Sequence, residues 1–137
     1  MKVVAYNIKE FEKELLAKAN AKVHELTLIS NDLNVSTLHY AMGKDVIIVS
    51  SRDLLNSQIL DELNHIGVKK VITRSQSIDH IDVKYASQLN IDVANTSLAD
   101  NTPESIAQQT IKCLNDWIKG EGKYNVKKNN SDFRSKI

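Results

Sequence analysis

The chain has 137 residues, enough for one domain around a single core and too few for two ordinary ones. With 18 basic and 17 acidic residues its formal charge is +1, so no overall field draws it to nucleic acid or to an anionic membrane, and neither is expected as a partner. The single cysteine, Cys113, excludes an internal disulfide and a Cys-based metal or redox pair, and it reads as a core thiol.

The opening residues Met1 to Asn7 hold an apolar run far shorter than the core of a signal peptide or a membrane span, which predicts a cytoplasmic protein. Val3 to Tyr6 reads as a short buried strand. Asn7 with Glu10 resembles a capping box, so a helix is expected from about Ile8 to Ala19. Ile8, Phe11, Leu15 and Ala19 recur at three- and four-residue steps and should share the buried face, while Lys9, Glu12, Lys13 and Lys18 point away. His24 to Ser30 is a second strand. Asn31 to Asn34 makes a turn, after which Asn34 caps a short helix through Leu38 and Met42 that stops at Gly43.

Asp45 to Ser50 is the clearest strand. Its four consecutive β-branched residues, Val46 to Val49, predict burial on both faces and a place at mid-sheet. Ser51-Arg52-Asp53 is a loop, and either Asn56 or Asp53 caps the next helix, whose stripe Ile59, Leu60, Leu63 and Ile66 ends at Gly67. Val68 to Thr73 is the fourth strand. It delivers the polar stretch Arg74 to Ser77, and Asp82 then caps a helix to about Leu89 that turns Val83, Ala86 and Leu89 inward. Ile91 to Ala94 is a fifth strand.

Thr102-Pro103 opens the last helix with a hydroxyl cap and a proline at the first helical position, where a missing N–H costs nothing. That helix, Pro103 to Ile118, carries Ile106, Thr110, Cys113, Leu114 and Trp117 on one face with Ile111 and Ile118 beside them. A face so wide either wraps the chain's own sheet or also meets a second copy or a cofactor-domain protein. From Gly120 onward the chain has no period and five basic residues against two acidic ones, and residues 120–137 are expected to form a flexible basic tail behind a domain at 1–119.

The alternation of strands and helices predicts an α/β fold: an open, flavodoxin-like parallel sheet of five strands with helices on both faces and right-handed crossovers. In such a sheet ligands bind beyond the carboxyl ends of the strands, which directs attention to the loop after the fourth strand. The candidate substrate-binding residues are Arg52, Arg74, Ser75, Gln76, Ser77 and Ile78. Two arginines at adjacent strand ends suit a small carboxylate, since a guanidinium binds one bidentately; each could equally be an exposed ion-pair partner.

Taken together, Val46 to Arg52, Arg74 to Asp82, Ala86, Ile91 to Thr96 and Pro103 to Ala107 resemble the N-terminal substrate domain of the D-2-hydroxyacid dehydrogenases, the group of D-lactate dehydrogenase, phosphoglycerate dehydrogenase and glyoxylate reductase. The resemblance covers about residues 1 to 118. It implies that the backbone amides of the turn within Arg74 to Asp79 bind a substrate carboxylate, as a run of free N–H groups can. The family carries glycine where this chain has Ser77, and a serine held at positive φ costs roughly 1 kcal/mol or more, which favours a different turn shape. His80 and Asp82 fit the family pattern as loop and helix-cap structure.

Complete family members add a second domain with a Gly-rich dinucleotide fingerprint, and their catalytic arginine, acid and histidine lie there. No glycine stands between Gly67 and Gly120, so a G-x-G-x-x-G after any strand in that interval is impossible. The resemblance therefore implies a chain with no cofactor of its own and no catalytic residue, inactive alone, with NAD entering only if a separate cofactor-binding subunit completes it.

The four histidines, His24, His39, His65 and His80, lie in separate elements with no ligand-like spacing, so no metal site is expected and solvated or satisfied surface positions suffice. No G-x-S-x-G elbow accompanies the serines near Arg52 and Arg74. A phosphoreceiver domain shares the architecture but needs an acidic pair after the first strand and an aspartate ending the third, where Asn7 and Ser50 stand. Three readings remain: a stand-alone carboxylate-binding homologue, a subunit of a split dehydrogenase, and a non-enzymatic dimerisation domain.

Overall fold

Val46 to Val49 is fully buried along its whole length, and the sheet order explains why. In a computed structural model, which describes residues 1–96 and 102–118, the strands run β2-β1-β3-β4-β5, all parallel, with β3 in the centre. The elements are β1 (Lys2–Ala5), α1 (Glu10–Asn20), β2 (Glu25–Leu28), a 3-10 helix (Val35–Ala41), β3 (Val46–Val49), α2 (Ser57–His65), β4 (Lys70–Thr73), α3 (Val83–Gln88), β5 (Asp92–Asn95) and α4 (Pro103–Ile118). The 120–137 tail and the residue at the expected domain boundary, 119, lie outside the described residues.

Strand side chains alternate between faces, so each strand feeds two cores. Val4, Ile47, Val49, Val71 and Val93 join Leu60 and Leu63 of α2 and Ala86 of α3 on one side. Val3, Val46, Ile48, Ile72 and Ala94 join Leu16 of α1 and Ile111, Leu114 and Trp117 of α4 on the other. The registers Val46↔Lys70 and Ile47↔Val71 hold β3 against β4, and Val3↔Val46 holds β1 against β3.

Capping chemistry sets three helix starts as the residues suggest. Asp82 Oδ1 accepts from Tyr85 N at 3.0 Å, Thr102 Oγ1 accepts from Ser105 N at 3.2 Å ahead of Pro103, and Asn56 rather than Asp53 caps α2, accepting from Ile59 N at 3.0 Å. Asn34 also caps as expected, with Oδ1 accepting from Ser36 N at 2.9 Å, but the element it opens is a 3-10 helix. Its buried residues Leu38 and Ala41 are three apart, a spacing that three residues per turn aligns on one face.

The first helix departs from the expectation. It starts at Glu10, and the cap is Lys9, whose N–H donates to Glu12 Oε1 at 3.0 Å; Asn7 instead adopts φ 57 and turns its side chain elsewhere. Ile8, Leu15 and Ala19 face the core as expected, with Leu16 and Asn20 the most buried residues of the helix, but Phe11 is 55% exposed. Glu12 turns inward.

The wide apolar face of α4 is used within the domain. Ala107, Ile111, Cys113, Leu114 and Trp117 are buried against the sheet and α1, whereas Ile118 is 56% exposed. Burial pushes the Cys113 thiol up to about 12, with Asp116 adding to the effect, so the sulfur is a packed, protonated core group. His24 is buried too, 5% exposed, because its ring closes a polar contact between β2 and α4, with Nε2 2.7 Å from Asn115 Oδ1. Among the described residues no helix is long and apolar enough to cross a membrane.

Candidate functional site

A parallel sheet sends the turns after its strands out at one end, and here a single carboxylate ties those after β1, β2 and β3. Asp53, 1% exposed, accepts from Ser50 N at 2.8 Å, Ser50 Oγ at 3.2 Å, Leu33 N at 3.0 Å and Asn7 Nδ2 at 2.6 Å. Four donors around one buried carboxylate satisfy its charge and fix the turns after β1, β2 and β3 relative to one another. The sequence offers Asp53 only as a possible helix cap, since two of its partners, Asn7 and Leu33, are distant along the chain.

Arg74 follows β4 and is 7% exposed at its side chain. Its guanidinium donates to the Glu12 carboxylate from Nη1 and, from Nη2, to the carbonyl oxygens of Tyr6 at 3.0 Å and Asn7 at 3.3 Å. Burial lowers its pKa from the ordinary arginine value, and Glu12 and Asp53 oppose that shift. Arg74 is thus committed to the scaffold, and only Nε, buried, has no partner among the described residues. Arg52 is exposed; among the described residues its guanidinium makes no ion pair, and its backbone N–H donates to Ser50 Oγ at 3.2 Å.

Both arginines border a cleft of about 230 Å³ between the turn after β1 with the start of α1 (Asn7, Lys9, Phe11, Glu12) and the turn after β3 (Ser50, Ser51, Arg52). This is where the strand order reverses, the usual ligand position in such sheets. The cleft carries three cationic side chains against one acidic one, and that acid is taken by Arg74. The sequence pattern does not mark Lys9 and Phe11 as site residues, because their placement depends on the left-handed turn at Asn7.

Ser75 to Ile78 lies outside the walls of that cleft but leaves the adjoining strand end. Its polar groups are pinned: Ser75 Oγ donates to Ser77 O at 2.8 Å, Ser75 O accepts from Thr96 N at 3.2 Å, and Gln76 O accepts from Asn95 Nδ2 at 2.8 Å. Ser77 Oγ accepts from Asp79 N at 3.2 Å, and Ile78 O accepts from Ile81 N at 3.0 Å. Among the described residues the Ser77 and Ile78 amides donate to no acceptor. Positive φ occurs at Asn7, Ala21, Lys22 and Asn90 among the described non-glycine residues, so Ser77 forms its turn without left-handed strain.

Behind the turn, Thr73 Oγ1 lies 2.7 Å from Ser75 Oγ and 2.9 Å from His80 Nε2, while the His80 carbonyl accepts from Leu55 N at 2.9 Å. Burial lowers the His80 pKa below its ordinary value against the opposing pull of Asp53 and Asp79. The described glycines, Gly43 and Gly67, end helices at φ +78 and +97, and a Cβ on either meets nothing within 4 Å. Neither is a close-approach cradle for a dinucleotide phosphate. No group of three or more His, Cys, Asp or Glu among the described residues is placed to hold a metal ion.

Residues 2–127 match the family model described as D-isomer specific 2-hydroxyacid dehydrogenase, catalytic domain. An aromatic 2-oxoacid reductase of Clostridium sporogenes is 29% identical over 112 residues, 81% of this chain and 33% of that protein. The apo structure of D-lactate dehydrogenase from Escherichia coli superposes with a TM-score of 0.70 at 26% identity, over 73% of this chain and 32% of the other. The Salmonella D-lactate dehydrogenase also gives a TM-score of 0.70 at 26% identity, over 85% and 35%. The chain spans about a third of the length of these relatives. With a five-stranded parallel sheet, a closing C-terminal helix and a family match over most of its residues, this chain belongs to the D-isomer specific 2-hydroxyacid dehydrogenase family, within its catalytic domain.

Proposed function

We propose that this chain recognises a small 2-oxo or 2-hydroxy carboxylate beyond the carboxyl ends of β3 and β4 and does not transfer hydride by itself. The observation that carries the reading is a set of donors with no partner among the described residues: the Ser77 and Ile78 amides and the Arg52 guanidinium, on turns joined by the Leu55↔Ile81 bridge. Successive N–H groups and a guanidinium are complementary to a carboxylate, and a neutral ligand would satisfy them less well. Relatives named as an aromatic 2-oxoacid reductase and as D-lactate dehydrogenases support a ligand of this class. The dinucleotide, in this reading, comes with a separate cofactor-binding domain.

Thermal unfolding tests this, because a ligand that binds only the folded state raises stability as RT ln(1 + [L]/Kd). Pyruvate or glyoxylate at millimolar concentration raises the Tm of the protein, and acetone, which lacks the carboxylate, does not. Equal responses to both, or none, contradict the reading. The same sample leaves NADH unoxidised; turnover above a protein-free control contradicts the second half of the proposal.

A further inference from the structure

Three hydroxyl and imidazole groups behind the Ser75 to Ile78 turn form a chain whose direction follows from counting hydrogens. A carbonyl oxygen carries none, so across the 2.8 Å contact the Ser75 hydroxyl donates to Ser77 O. Its only hydrogen is then spent. Across 2.7 Å, Ser75 Oγ must therefore accept from the Thr73 hydroxyl, and once that hydrogen is spent His80 Nε2 must be the donor across 2.9 Å. We infer that His80 is a positioning residue for the carboxylate turn, acting through the one-way chain His80 Nε2–H to Thr73 Oγ1, Thr73 O–H to Ser75 Oγ, and Ser75 O–H to the Ser77 carbonyl.

The chain has rigid supports at its origin and middle. Thr73 is fully buried at the end of β4, paired with Asn95 of β5 and Val49 of β3. The His80 backbone is held by Leu55, whose N–H it accepts, beside the bridge between Leu55 and Ile81. The free end fixes the Ser77 carbonyl and hence the plane of the peptide whose other atom is the Ile78 amide. An imidazole with its hydrogen on Nδ1 breaks the sequence at the first link, because Nε2 would then be an acceptor facing an oxygen with no hydrogen left to give. The tautomer of one histidine thus sets the aim of the amide that the preceding proposal assigns to the ligand, and the inference rests on that proposal for its functional consequence.

Long-range 1H–15N correlation on the full chain reads the ring directly: the expected state is protonated at Nε2 and bare at Nδ1, and an Nδ1–H tautomer overturns the inference. Three variants read the consequence. His80→Phe removes the donor, Thr73→Val removes the relay hydroxyl, and His80→Gln returns an amide N–H near the position of Nε2. Hydrogen exchange at Thr96 and Ile81, whose amides are bonded to Ser75 O and Ile78 O, should quicken roughly five- to tenfold in the first two, as loss of one net hydrogen bond implies, and stay near wild type in His80→Gln. Amides of α4 report that the rest of the fold is unchanged. Unaltered exchange in His80→Phe, or no rescue by His80→Gln, overturns the inference. Pyruvate affinity should fall with the same pattern; if wild type does not bind pyruvate but the tautomer and exchange results hold, the positioning chain stands and the carboxylate reading falls.

Discussion

Glu12 and Arg74 are 62 residues apart in sequence and meet as the most buried ion pair among the described residues, with side chains 18% and 7% exposed. Helical periodicity assigns Glu12 to the solvent face, and nothing within its own helix contradicts that, because the partner comes from a different strand. Arg74 was legible as a residue at a strand end but not as one already occupied. Asp53 was similar: its position after the central strand was plain, whereas its four donors come from three different turns. A charge buried with its partner is costly to leave alone, which yields a direct prediction. Glu12→Gln should destabilise the fold by about 3 kcal/mol in urea unfolding, while the double change Glu12→Leu with Arg74→Met should recover most of that loss. A single variant as stable as wild type would show that water, not Glu12, satisfies Arg74.

At the scale of elements, features written in local chemistry were readable and features set by phase were not. The central strand, the caps at Asp82 and Asn34 and the Thr102-Pro103 start all depend on residues next to one another, and each stands where the sequence placed it. Helix α1 begins two residues later than expected, and Leu16 rather than Phe11 is buried at the sheet. The breadth of the apolar face on α4 follows from its two neighbours, the sheet and α1, which together cover more of its circumference than a sheet alone. Leu114 is completely buried there, so Leu114→Ala should cost roughly 2–5 kcal/mol through lost burial and a residual cavity. Ile118→Ser, one turn on and exposed, should change stability by less than about 0.5 kcal/mol. Equal effects in thermal or urea unfolding would mean that the exposed end of α4 is buried by a contact outside the described residues.

For the whole molecule, the order β2-β1-β3-β4-β5 brings the ends of β1, β3 and β4 side by side and gathers Arg52, Arg74 and the Ser75 to Ile78 turn at one end of the sheet. The five-stranded architecture was legible because alternating strands and helices leave few right-handed parallel arrangements. The condition of the site was not, since whether a donor is free or spent depends on tertiary partners. Arg74 is spent on Glu12 and two carbonyls, while Arg52 and the Ser77 and Ile78 amides keep their capacity among the described residues. The central claim, that those remaining donors receive a carboxylate, is tested most directly by following backbone amide resonances during a pyruvate titration. The account predicts saturable shifts concentrated at Ser77, Ile78 and Arg52 with the amides of α4 unmoved; no shift at millimolar pyruvate, or shifts confined to α1 and α4, would contradict it.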